Sequence, residues 1–148
     1  MKSFIGTLVD EVRFTVEQGK VAEFARATQA RDSIHVEPSV AAEAGLANLA
    51  ATATHVVVAG HQRHQRAFVD ALGLDLKRIV VGSVKWRYNR PLVVGDQVHG
   101  IRRVIADDSK QGKRGGLMRI LTLQTEFTDT SGEVVVTQEE VLIEKGVQ

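Results

Sequence analysis

The chain has no cysteine among its 148 residues, which excludes disulfides, thiolate metal ligands and a cysteine nucleophile. It has only two prolines, Pro38 and Pro91. No Pro/Gly/Ser-rich linker, low-complexity stretch or internal repeat divides it. Neither sign of charge is in excess: 19 Lys+Arg against 18 Asp+Glu leave a formal net charge of +1. That balance argues against bulk electrostatic binding to nucleic acid or a membrane. No run approaches the ~18 apolar residues of a membrane span. The opening MKSFIGTLVDEVRF carries acids and no apolar core of signal-peptide length. The expectation is one domain over residues 1–148, cytoplasmic, with no nucleic-acid or membrane partner.

What is present fits that expectation. A hydrophobic share of 43% with 25% charged residues is ordinary for a globular domain, and a chain this long buries about 70% of its unfolded surface. Val12, Phe14 and Val16 alternate with Arg13, Thr15 and Glu17, the pattern of a short strand. Val21, Phe24, Ala25 and Thr28 fall at i, i+3, i+4 and i+7, an amphipathic helix over residues 20–29. Residues 39–44 form a second helical turn stopped by Gly45. Residues 51–72, closed by Gly73, read as a long central helix, apolar all round at its start and polar later. The β-branched run Thr54 to Val58 leaves a strand open there.

From residue 79 the character changes. Segments 79–90, 97–106, 117–128 and 133–144 are rich in Val, Ile, Thr and aromatics. Turn chemistry at Pro91 to Asp96, Asp107 to Gly116 and Asp129 to Gly132 separates them, which implies an antiparallel sheet. Trp86 and Tyr88, two residues apart in a strand, share a face. One long apolar helix followed by an antiparallel sheet is an α+β pattern, and the economical packing wraps the sheet round the helix. The open sheet edge calls for cover, and a partner's strand is one solution.

The stretch RYNRPLVVGD at 87–96 resembles the "(R/K)P-x-x-x-GD" signature of MaoC-like dehydratases, with Arg90, Pro91, Gly95 and Asp96 matching. Pro91 ends the strand, Gly95 relieves the turn, and Asp96 is placed to accept backbone N–H groups. GKVAEFARAT at 19–28, AAEAGLANLAATAT at 41–54 and LQTEFTDTSGEVVVTQEEVLI at 123–143 resemble further parts of the same family. The likeness is nearest to the N-terminal, fatty-acid-synthase-like dehydratase branch, which includes non-catalytic subunits of heterodimeric (3R)-hydroxyacyl-ACP dehydratases. It implies a hot-dog fold, an acyl-CoA or acyl-carrier-protein thioester as substrate, a second hot-dog subunit in a homo- or heterodimer, and no cofactor or metal.

The resemblance also says where the chemistry is expected. Hydratases of this fold carry a D-x-N-P-x-H segment whose Asp and His hold one water between them. A carboxylate and an imidazole suit that role because both exchange protons near neutral pH. The corresponding segment here is Ala30-Arg31-Asp32-Ser33-Ile34-His35. His35 matches the catalytic His, Asp32 falls where Asn is usual, and the catalytic Asp position is Ala30. Two readings follow: a subunit whose partner holds the acid/base pair, or an active homodimer using His35 with Asp32. A non-enzymatic acyl-CoA-binding hot-dog protein is a third.

Substrate contacts are expected at backbone N–H groups near Thr52, Thr54 and His55, where a helix dipole favours a developing oxyanion. His55 stands where the family usually has Phe, and as a residue it also reads as a core histidine. Arg102, Arg103, Lys113 and Arg114 are candidates for the phosphates of CoA or a pantetheine arm, although short basic runs read equally as a solvated hairpin end. His61 and His64 have an i, i+3 metal-ligand spacing without a third ligand, so a solvated helix face is favoured. His99, next to Val98 on a strand, is expected to face solvent. No serine sits in a G-x-S-x-G elbow and no glycine pattern fits a P-loop or dinucleotide fingerprint. Asp70 and Asp75 lie at the far end of the central segment, which counts against a thioesterase.

Overall fold

The structure, a computed structural model, describes residues 2–147. Five strands form one antiparallel sheet in the order β1-β3-β4-β5-β2: β1 Leu8–Thr15, β2 Ile79–Tyr88, β3 Gln97–Gln111, β4 Leu117–Thr128 and β5 Val134–Glu144. The consecutive strands β3, β4 and β5 make a central meander, and β1 and β2 are added at its two edges. The three helices are α1 Gln18–Ala27, α2 Pro38–Glu43 and α3 Gln65–Ala71. Among the described residues no helix is long and apolar enough to cross a membrane.

The core-facing alternation of the sequence is kept. On β4, Leu121, Leu123, Thr125 and Phe127 are buried while their neighbours are more exposed. Period two does this: one face of the sheet meets the helical layer, the other does not. Gly100 on β3 lies under the Phe127 ring, where a Cβ would approach ring carbon to 2.7 Å. That glycine is the slot that lets Phe127 lie flat on the sheet, with Phe14 edge-on at 6.1 Å between centroids. At the other edge, β2 bulges between Val81 and Ser83.

The expected long helix over 51–72 is not continuous. The segment begins as extended turns, runs as a 3-10 helix over His55–Gln62, breaks at Arg63 and His64, and resumes as α3. The reason lies in its residues. Val56, Val57 and Val58 are stiff at χ1 and poor helix formers, and Gly60 adds backbone entropy. The two pieces pack separately. Val56 and Ala59 join Val12, Val16, Val21, Val98, Phe127, Val135 and Val136 in one cluster. Val69 and Leu72 join Leu74, Val104, Leu121, Leu123 and Leu142 in another. The α+β layering, a sheet over one helical segment, is therefore as expected, with a broken rod in place of a straight one.

Trp86 and Tyr88 do share a face, both half-buried against the first cluster. Across that sheet edge the Trp86 indole N–H donates to Gln138 at 3.1 Å.

Candidate active site

Three segments far apart in sequence are laced together at one end of the sheet. Ala50 N–H donates to Ile34 O at 3.1 Å, and Ala51 N–H donates to Leu92 O at 2.8 Å. Ala50 also bridges Val93, and the Tyr88 hydroxyl donates to Ala53 O. Burial pushes the Tyr88 phenol up to about 12, so it remains a neutral donor. The RYNRPLVVGD turn thus holds the start of the central segment against the loop that carries His35.

The turn is rigid for the reasons its residues suggest. Arg90 grips Asp96 in bidentate fashion, at 2.8 and 3.1 Å, and reaches Asp129 at 3.3 Å. Asp96 accepts Val93 N–H at 2.9 Å, and Gly95 takes φ +96°, a left-handed conformation that glycine supplies at least cost. Asp129 is held down to about 2, first by the Ser131 hydroxyl and then by Arg90. Sequence reading anticipated the Asp96 role; the second carboxylate on Arg90 had no local signal.

The loop before His35 is equally defined. Helix α1 ends with Ala30 N–H bonded to Ala25 O and Gln29 at φ +58°, a Schellman-type stop made without glycine. Asp32 caps the short 3-10 turn Ser33–His35, accepting Ile34 N–H at 3.0 Å. His35 Nδ1 lies 2.7 Å from Ala50 O. A carbonyl only accepts, so Nδ1 carries a proton in this contact. Among the described residues, no hydrogen bond or ion pair joins His35 to a carboxylate. Ala30 presents a methyl group at the position where the family resemblance expects the acid.

Deeper in, His55 is fully buried, and among the described residues neither ring nitrogen finds a hydrogen-bond partner. The hydroxyl of buried Thr52 is also unpartnered. Phe24 stands edge-on to the His55 ring at 5.6 Å. Burial first, and the Lys20 charge second, push His55 below its ordinary value, so the ring is neutral. Thr54 is half-buried and caps nothing with its side chain. The His55 N–H is spent on Thr52 O at 3.1 Å, so the expected oxyanion donor at that residue is already engaged.

The remaining candidates lie elsewhere. Arg102 is not a surface cation: it is 2% exposed, with Nε on Asp10 at 3.1 Å and Nη1 on Glu140 at 3.2 Å. Its guanidinium lies 4.2 Å above the Phe68 ring. The residue alternates inward on β3, and Asp10 and Glu140 neutralise it there. Arg63, at the break of the central segment, also donates to Asp10. Arg103 points outward and is exposed. His61 and His64 are exposed, and among the described residues no cluster of three His, Cys, Asp or Glu could hold a metal. His99 is half-buried and meets Glu11 at 2.8 Å instead of facing open solvent.

The sheet over a helical segment, with a His-bearing loop held against the start of that segment, is a hot-dog domain of the dehydratase kind. Residues 3–138 match the family described as "FAS1-like, dehydratase domain region", and the chain belongs to that family. Relatives include a UPF0336 protein of Saccharopolyspora erythraea, 31% identical over 147 residues, covering 98% of this chain and 91% of that protein. Another, from Thermobifida fusca, is 34% identical over 135 residues, covering 90% and 85%.

Among solved structures, a chain of the HadBC (3R-hydroxyacyl-ACP dehydratase) complex of Mycobacterium tuberculosis superposes with a TM-score of 0.78 at 21% identity, covering 95% of this chain and 98% of that one. A MaoC-like dehydratase gives 0.82 at 22%, covering 98% of this chain and 43% of that longer one. The (R)-hydratase from A. caviae gives 0.65 at 22%, covering 96% and 97%. At these identities the likeness is one of fold.

Proposed function

We propose that the chain is a subunit of an (R)-specific 3-hydroxyacyl-thioester dehydratase or enoyl-thioester hydratase, and that a second hot-dog subunit holds the complete acid/base pair. The observation that carries this is Ala30. Dehydration takes a proton from the α-carbon and releases the β-hydroxyl as water, which needs a base and an acid poised on one substrate. His35 offers its imidazole, but a methyl group stands where its carboxylate is expected. Asp32, the nearest substitute in sequence, is committed to capping its own turn, which counts against an active homodimer built on His35 and Asp32.

The subunit's contribution is then to complete the thioester-binding cavity and to cover the partner's sheet edge. β2 is an edge strand with Val80 and Val81 exposed, Val81 by 60%, and such an edge seeks a partner strand. The purified chain alone should hydrate crotonyl-CoA about 10²–10⁴-fold more slowly than a family member with both groups, the usual loss for one positioned proton donor or acceptor. Ala30→Asp, on an otherwise unchanged loop, should recover part of that activity, and His35→Ala should remove it again. Robust wild-type turnover that His35→Ala abolishes would overturn the non-catalytic assignment.

A further inference from the structure

At the opposite end of the sheet from His35, the β3–β4 hairpin, the turn before β2 and the C-terminal segment enclose a cavity of about 650 Å³. Six cations line it: Lys77, Arg78, Lys110, Lys113, Arg114 and Lys145. Arg78 is neutralised by Asp75 and Glu144 at 3.3 Å each. Among the described residues no carboxylate comes within ion-pair distance of the other five. A chain whose net charge is only +1 therefore gathers round one concavity four cations, Lys110, Lys113, Arg114 and Lys145, that have no ion pair among the described residues, with Lys77 beside Asp75. Their mutual repulsion is unfavourable in the empty state and is relieved by an anion.

The floor of the cavity is built, and it is not polar. Met118 faces it. Gly116 and Gly146 cross so closely that a Cβ on Gly146 would stand 2.6 Å from the Gly116 carbonyl carbon, and one on Gly116 would stand 2.7 Å from Val147 O. Gly116 also takes φ +76°. Side chains are excluded from that crossing, which joins the hairpin to the C-terminal segment beside the cavity, and Met118 is the apolar floor under a cationic rim. A bare phosphate uses only the rim. A nucleotide uses both, with phosphates on the Lys and Arg side chains and a flat base against the floor, and the volume falls within the ~300–1,000 Å³ typical of small-ligand sites.

We propose that this basin binds a nucleotide carrying two or more phosphates. Two sources share that chemistry: the nucleotide end of a CoA thioester, and a free nucleoside diphosphate. The first rests on the dehydratase reading above. β2 runs from the basin, just after Lys77 and Arg78, to Tyr88 at the His35 end. A subunit pairing antiparallel along that edge would bring its own Tyr88 end beside this basin. The subunit without the acid would then hold the handle of the substrate on which its partner acts.

The test is calorimetric titration of the purified full-length chain with coenzyme A, with ADP, and with pantetheine as the phosphate-free control, at low and moderate salt. CoA and ADP should bind, pantetheine should not, and affinity should fall as salt rises because the contacts are exposed charges. Lys113→Glu and Arg114→Glu should each weaken binding about tenfold or more, as expected for a lost charged hydrogen bond. Arg26→Glu, an exposed cation of α1 that does not line the cavity, should leave affinity unchanged. Lys113→Gln with an unaltered thermal melt controls for folding. CoA binding much tighter than ADP assigns the thioester source, and equal binding the free nucleotide; either supports the site. Absence of wild-type binding, CoA binding untouched by both charge reversals, or preference for an acidic carrier protein stripped of its pantetheine arm would overturn it. Binding needs no turnover, so an inactive complex with intact CoA binding would count against the dehydratase reading alone.

Discussion

Among the buried polar side chains, the groups around Arg102 and around His55 are treated in opposite ways. Around Arg102, every charge has a partner: Asp10 and Glu140 accept from the guanidinium, Arg63 shares Asp10, and Phe68 covers the flat face. Around His55 the side chains have no partner among the described residues: both ring nitrogens and the Thr52 hydroxyl are buried and unbonded. The first group closes on itself and ties β1, β3 and β5 to the break in the central segment. The second follows Ala50, whose carbonyl meets the His35 imidazole, at the end where we propose the thioester binds. A closed polar network explains itself as structure, whereas orphaned buried groups cost free energy that folding alone does not recover. Such groups call for a partner from outside the chain, a water or a ligand.

The contrast breaks most visibly at Arg102. Arg102→Ala leaves Glu140 without its cation and Asp10 with Arg63 alone, and should cost about 3–5 kcal/mol of stability in urea unfolding. A loss under ~1 kcal/mol would mean that water reaches both carboxylates and that the network is not closed. Thr52→Val should act in the other direction. It removes a hydroxyl with no partner and keeps the shape, so a gain of about 1 kcal/mol is expected from the same measurement. Should the gain be absent while thioester binding to the assembled enzyme weakens, the hydroxyl belongs to the ligand site.

The smallest effect lies in the pH profile. His55 is neutral in the fold, pushed below its ordinary 6.5 by burial and then by Lys20, while in the unfolded chain it protonates freely. The unfolded state thus binds the extra proton as pH drops below about 6.5, and stability falls, by at most about 1.4 kcal/mol per pH unit. His55→Leu should flatten that limb below about pH 6.5. Asp107, held below its ordinary value first by the Arg119 guanidinium, loses its contribution only at lower pH, below the ordinary aspartate value near 3.8. A wild-type slope retained in His55→Leu would show that another group titrates there.

Much of the fold was legible because strands announce themselves locally. The period-two alternation of 79–90, 97–106, 117–128 and 133–144, with turn residues between, placed β2 to β5 close to their observed positions. The hairpin strand β3 runs on to Gln111 because nothing in DDSK forbids an extended exposed edge. The central segment was misread for the opposite reason. Small and β-branched residues tolerate several backbone forms, and the choice was made by packing against two separate clusters. At the site, the Asp96 cap could be read from its motif, since the partner is three residues away. Arg102 could not: two positions of similar sequence character, Arg102 and Arg103, differ only in which way the strand turns them, and Asp10 lies far off in the chain.

The strand order has a kinetic consequence. β3, β4 and β5 are neighbours in sequence and in space, so their two hairpins close short loops. β1 must find β3 across roughly 90 residues, and β2 must find β5 across roughly 55, each at a loop-closure cost that grows only logarithmically but is incurred before the new contacts form. The meander should therefore be the first structure made, with the two edge strands zipping on afterwards over the helical layer. Substitutions inside the meander, such as Leu123→Ala, should slow folding, while comparable losses on β1 or β2 should chiefly hasten unfolding. The edge that we propose a second subunit covers is then also the last part of the domain to take shape.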